Sequence, residues 1–173
     1  MKRILIVATL VGGLVLGGAP AHAEDPSPRL VSPVVCVQGD FPLLHSGWQI
    51  RQAVEEWNTA QTAVRFTLRW EPGCSVVRLH RYDERDNRAG YTDYFGLAPW
   101  SLVNVYLNEA YRASALKCAT RYLVVHELGH ALGLVEHTIG RTSVMSYGYD
   151  IQRFCGQPSI ADVAAVVALY SAP

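Results

Sequence analysis

The chain has 173 residues, half of them hydrophobic, and 15 Lys plus Arg against 15 Asp plus Glu. That balance gives nucleic acid or an anionic membrane no electrostatic hold as a partner. The length suits one domain with a full core, and beyond the first 23 residues no stretch is long and apolar enough to cross a bilayer.

Lys2 and Arg3 precede an apolar run, Ile4 to Gly18, and Ala21-His22-Ala23 supplies the small residues a signal peptidase cuts after. Residues 1–23 are therefore expected to be a signal peptide, and the working protein to be secreted and extracellular. Removing them leaves 150 residues, with 13 basic against 15 acidic groups, a net charge near −2. Residues 24–34 are proline-rich and expected to form an extended arm, with one domain over 35–173.

A helix is expected from about Gly47 to Ala60, with Ser46 as N-cap and Ile50, Ala53, Val54 and Trp57 on one apolar face. Val64 to Trp70 alternates apolar and polar residues as a half-buried strand does. Cys74 to Tyr82, Ala89 to Phe95 and Leu102 to Leu107 are three further strands. Cys118 or Thr120 opens a helix running to about Leu132. A last helix spans Ile160 to Tyr170, capped by Ser159, with Val163, Val166, Val167 and Tyr170 inward. Trp48, Trp57 and Trp70 are expected in the core and Trp100 in the core or at a pocket rim. His45 and His80 are expected at or near the surface. All four cysteines follow the leader. An even count in an exported chain favours disulfides, and the absence of C-x-x-C spacing speaks against a cysteine metal site. Of three connectivities, Cys36–Cys74 with Cys118–Cys155 is favoured, because the second would tie the start of the 118–132 helix to the segment after it.

The most informative stretch is His126-Glu127-Leu-Gly-His130-Ala-Leu-Gly133-Leu-Val-Glu136-His137. Residues four apart share a helix face, so His126 and His130 can aim two imidazoles at one metal ion. Glu127 stands beside them without having to be a ligand. Gly133 can end the helix and turn the chain back, bringing Glu136 or His137 as a third ligand. Three protein ligands and an open position characterise a catalytic zinc site, Zn2+ being the expected cofactor.

This motif, followed by Ser143-Val-Met145-Ser-Tyr147-Gly148, resembles the metzincin clan of zinc endopeptidases, whose signature is H-E-x-x-H-x-x-G-x-x-H or D and then a methionine turn. Small secreted bacterial proteases of the snapalysin type and the matrixins are closest in size. The strong match covers about residues 121–148. The resemblance implies an α+β fold, a zincin-like catalytic domain with a twisted mixed sheet of four to five strands on two long helices and a small C-terminal subdomain. It implies His126 and His130 as zinc ligands, Glu127 as general base and Met145 beneath the metal. Register from Gly133 favours Glu136 as third ligand, with His137 then orienting a ligand. The matrixin spacing, with the third histidine eight residues before the methionine, gives His137 instead. Tyr147 matches a tyrosine that astacins and serralysins place near zinc, where it can stabilise an oxyanion. The partner implied is a polypeptide, added as a strand to an exposed edge such as Tyr91 to Phe95, and the working protein is expected to be a monomer. Two other readings stand beside this metalloendopeptidase: a zinc hydrolase of other amides or esters, and a secreted zinc-binding module with little or no catalysis.

Overall fold

Val34-Val-Cys-Val-Gln38 forms strand β1, a short apolar run buried at its centre and lying between two parallel neighbours. It is a strand that the sequence pattern did not mark, because a strand buried on both faces, here by the core at Val35 and Val37 and by the disulfide at Cys36, loses the alternation that signals a half-exposed one. The computed structural model describes residues 29–39, 44, 47–60, 62–85, 88–96, 98–112, 116–147 and 155–171. Residues 1–28, His45 and Ser46 lie outside these.

After β1 come helix α1 (Ile50–Thr59), β2 (Arg65–Thr67), β3 (Ser75–Tyr82), β4 (Gly90–Tyr94), β5 (Leu102–Asn108), a single turn α2 (Glu109–Arg112), α3 (Lys117–Ala131) and α4 (Ile160–Ser171). The five strands make one mixed sheet in the order β2-β1-β3-β5-β4. All neighbours are parallel except β4, which runs antiparallel to β5 at one edge. The expected α+β architecture of a zincin-like domain is present.

Helices α1 and α3 pack on each other and on one face of the sheet. There Val35, Val37, Val77, Leu79, Val103, Val105 and Leu107 meet Ile50, Ala53, Trp57, Val124 and Leu128. Each such large side chain withdrawn from water contributes about 1.5–3 kcal/mol. Trp57 also donates its indole N–H to the Val125 carbonyl at 2.9 Å, locking α1 to α3 within the core. The opposite sheet face is lined by half-exposed side chains. On it His80 stacks on Tyr106, and Tyr106 on Tyr91, across three strands.

Several local expectations need correction. Helix α1 begins at Ile50, three residues late, because Gln49 takes a left-handed conformation (φ 59°) and buried Trp48 turns in to bond Glu109. The strand expected over 64–70 is only three residues long. Thr67 and Arg69 bond to each other through the threonine hydroxyl, and Glu71 to Cys74 forms a turn with Pro72 and Gly73 (φ 78°) at its centre. Trp70 consequently stands 66% exposed and is not core. In α4, Val166 is buried but Val167 faces out, and Asp162 takes a buried place instead.

Both expected disulfides are formed, Cys36–Cys74 and Cys118–Cys155. The second joins the first turn of α3 to the segment before α4, where Arg121 also donates to the Cys155 carbonyl. Residues 29–31 lie beside Trp100, with main-chain bonds of 2.8 Å in both directions, and Leu30 is buried. Arg29 and Leu30 then reach α4, at the Leu169 carbonyl and the Tyr170 hydroxyl.

Candidate metal centre

Helix α3 is buried almost all round from Leu123 to Ala131, so its polar residues there need partners. The Nδ1–H of His126 donates to the Val144 carbonyl at 2.6 Å, and that of His130 to the Leu134 carbonyl at 2.7 Å. Each bond fixes a tautomer and leaves the Nε2 lone pair pointing the other way. Burial pushes both imidazoles down to about 4, that of His126 further helped by its neighbour His130, so both are neutral at neutral pH.

Helix α3 ends in a paired arrangement. The Gly133 N–H bonds to the His130 carbonyl at 2.8 Å and the Leu134 N–H to the Gly129 carbonyl at 3.1 Å, with Gly133 at φ 104°. A Cβ at Gly133 would oppose that conformation. The reversal serves His130 directly, since it presents the Leu134 carbonyl to it. It also returns the chain with His137.

The Nε2 of His137 lies 3.2 Å from that of His126 and 3.3 Å from that of His130, and one donor nitrogen from each of the three can be gathered within 4.8 Å. Zinc–nitrogen bonds of about 2.0–2.1 Å in a tetrahedron place ligand nitrogens about 3.3–3.4 Å apart. With two of the rings holding their protons on Nδ1, at most one of the two close approaches has a hydrogen to bridge it. The donor set fits a zinc ion. His137, and not Glu136, joins the two helix imidazoles, contrary to the register counted from Gly133. Glu136 is exposed and lines a separate cavity of 720 Å³ with Ala165, Ala168 and Leu169. Its charge acts on His137 only as a neighbour, against the burial that lowers the imidazole's pKa.

Met145 is 1% exposed and packs against α3 at Gly129, the residue directly before His130. A Cβ on Gly129 would sit 2.5 Å from the methionine sulfur and 3.2 Å from Trp57, so glycine is needed for this close approach. Tyr147 is 84% exposed and its ring stacks on His137 at 3.9 Å, so it is not a buried structural tyrosine.

Glu127 is buried, and its Oε2 accepts the Thr92 hydroxyl of β4 at 2.7 Å. Burial pushes its carboxyl up to about 7, against the opposing pull of that bond. Tyr94, two residues on, donates its hydroxyl to the His130 carbonyl at 2.9 Å. Burial, and then the nearby Glu127, push that phenol's pKa up, so it stays a donor. Edge strand β4 is thus hydrogen-bonded to α3 at two of the motif residues.

Sequence reasoning did not single out Thr92, Tyr94 or Asp162. Asp162 is buried and accepts the Ser143 hydroxyl at 2.6 Å, the Val144 N–H at 3.0 Å and the Ser159 N–H at 2.8 Å. It suspends the methionine turn from α4, and so holds the carbonyl that orients His126. A signal was present: Ser159 and Asp162, three apart, form a capping box, the serine hydroxyl accepting the Asp162 N–H in return.

The three histidines, Glu127, Thr92, Tyr94, Tyr122 and Tyr147 line one open cleft of 520 Å³ beside β4. Cavities of 690 and 720 Å³ lie elsewhere, but neither holds the imidazoles. No curated protein matches the chain. A protein-family model described as matrixin matches residues 52–171, more than two thirds of the length, and takes in most of α1, all of α4 and the whole donor set. A histidine eight residues before a buried methionine, a buried carboxyl next to the first histidine and an edge strand beside them agree with that match, and the chain belongs to the matrixin family.

Proposed function

We propose that the protein is a secreted zinc endopeptidase that hydrolyses peptide bonds with Glu127 as general base. The observation that carries this reading is the convergence of the His126, His130 and His137 imidazoles beside a buried carboxylate in an open cleft. Zinc bound there supplies a Lewis acid that acidifies water and polarises the scissile carbonyl. His126, His130 and His137 would hold it, the first two oriented by the Val144 and Leu134 carbonyls. Glu127 takes the proton from the attacking water and delivers it to the leaving amine, and a carboxyl raised to about 7 suits both halves of that task. Tyr147 would donate its hydroxyl to the developing oxyanion, a role supported by its stacking on His137 and its exposure to the cleft. A polypeptide adds as a further strand to β4, whose outer edge has no strand neighbour among the described residues.

Removal of residues 1–23 on export yields the working domain over 35–173, and the two disulfides suit an oxidising compartment. The reading as a secreted zinc-binding module with little or no catalysis supposes an unusual third ligand that holds zinc weakly, and three converging imidazoles support the catalytic reading over it.

The test is casein hydrolysis and zinc content, with and without a chelator, for the wild type and Glu127→Ala. Expected are about one zinc per chain, loss of activity on chelation, and a fall of roughly 10²–10⁴-fold in Glu127→Ala with zinc retained. Activity indifferent to both interventions would refute the reading.

A further inference from the structure

Strand β4 offers α3 more than a docking edge for substrate. Its inward-facing residues Gly90 and Thr92 stand on either side of the Glu127 carboxylate. The Thr92 hydroxyl donates to Oε2 at 2.7 Å and lies 3.1 Å from the main-chain oxygen of the same residue. Gly90 lies against the other oxygen. A Cβ there would come within 3.3 Å of Oε1 and 2.8 Å of the Tyr106 carbonyl, so the strand leaves room beside Oε1 by having no side chain. Among the described residues no hydrogen bond to Oε1 is formed, and no side-chain oxygen that is fully buried lacks a partner. Oε1 therefore opens onto the cleft that Glu127 lines.

We propose that Thr92 is the positioning residue of the general base: its hydroxyl holds Oε2 in place, so that Oε1 is the oxygen that exchanges protons with water and the leaving amine. A glutamate carboxylate pivots about a broad terminal torsion. Once one oxygen is anchored, the other keeps a fixed place relative to the three imidazoles, and lost alignment of this kind costs a reaction up to about 100-fold. A substrate strand laid on β4 would then lie on the same element that sets the base, which makes binding and proton transfer share one rigid reference. Thr92 has no place in the H-E-x-x-H pattern and its role depends on the peptidase reading of Glu127.

The experiment compares Thr92→Val, which keeps the shape and removes the hydroxyl, with Thr92→Ser, which restores it. On a fluorogenic peptide, Thr92→Val is expected to lower kcat by about 10–100-fold with KM and zinc content unchanged, and Thr92→Ser to recover to within about threefold of wild type. In metal-free protein, Thr92→Val is expected to lower Tm more in the wild-type background than in Glu127→Ala, where the carboxylate partner is gone. A Thr92→Val kcat within twofold of wild type, a Thr92→Ser as impaired as Thr92→Val, or equal Tm shifts in the two backgrounds would each overturn the role. A zinc-loaded wild type inert towards peptides would instead remove the peptidase reading, and the metal-free melting comparison would still decide whether Thr92 holds Glu127.

Discussion

A carboxylate as deeply buried as Glu127 costs the folded chain free energy whenever it is ionised. Its folded value of about 7 lies above the ordinary 4.5, so the native state holds the proton more tightly than the unfolded chain does. Stability is accordingly lost as pH rises from about 4.5 through 7. Metal-free Glu127→Gln should be more stable than metal-free wild type at pH 8, by about 1–3 kcal/mol, with the difference closing near pH 4.5. Denaturant unfolding of chelated protein at the two pH values measures it, and an unchanged or reversed difference at pH 8 would refute the burial argument. His126 and His130 act in the opposite sense. Their folded values of about 4 lie below 6.5, so the metal-free protein loses stability as pH falls from 6.5 towards 4. For the same reason protons compete weakly for these nitrogens. Zinc should be retained on dialysis at pH 5.5 and lost only below about pH 4.5, as followed by metal analysis. At this scale much was legible. His126, Glu127 and His130 need only helical spacing to be brought together. The third imidazole was not readable from the count after Gly133, because the Val135 N–H bonds to the Gly133 carbonyl at 2.9 Å. That tight turn takes up backbone that a straight count assigns to reach, and His137 arrives where Glu136 was expected.

Among the elements, α4 matters to the metal centre without contributing a ligand. Through Asp162 it holds Ser143 and Val144, and Val144 holds His126. Asp162→Ala leaves three donors without their acceptor in a buried place. The expected cost is about 2–4 kcal/mol of stability and roughly 10–100-fold in zinc affinity, measured by denaturant unfolding and by competition with a chelating dye. Asp162→Asn, which keeps one acceptor oxygen and the volume, should lose much less of both. Equal losses from the two substitutions would mean that the turn needs the full carboxylate with both acceptor oxygens, and would refute the smaller loss expected of Asp162→Asn. Helix α4 was legible from its periodicity and its Ser159 cap to within a residue at each end, whereas α3 ends one residue before Leu132 but begins at Lys117, ahead of both Cys118 and Thr120, because Leu116 caps it with no side-chain bond to read. Strand β1 was not legible, since Val35, Cys36 and Val37 are buried on both faces of the sheet and leave no polar side to alternate with. The 64–70 segment failed for the converse reason. Its alternation continues into Trp70, but the Thr67–Arg69 bonds and the Pro72–Gly73 turn end the strand at Thr67.

For the molecule as a whole, the sheet, the two long helices and the methionine turn share one continuous core, and the disulfides brace it at two places. Their sequence separations of 38 and 37 correspond to about 4 kcal/mol each in loop-closure entropy denied to the unfolded chain. Reduction should therefore lower Tm by well over 10 °C for a domain of this size, and calorimetry with and without reductant would check it; a shift of a degree or two would show that the crosslinks brace little. The pairing was legible as a preference only, since its choice among three connectivities rested on an idea of which segments meet. The covalent rings also decide what happens to the chain when it is itself cut. A single nick anywhere between Cys118 and Cys155 severs the main chain within the segment that bears all three imidazoles, yet leaves both fragments tethered beside each other. One between Cys36 and Cys74 does the same for β1 and α1. Residues 75–117, which include β4, belong to neither ring. Damage there parts the polypeptide outright, and on the proposed peptidase reading that span is where autolysis would end the protein's working life.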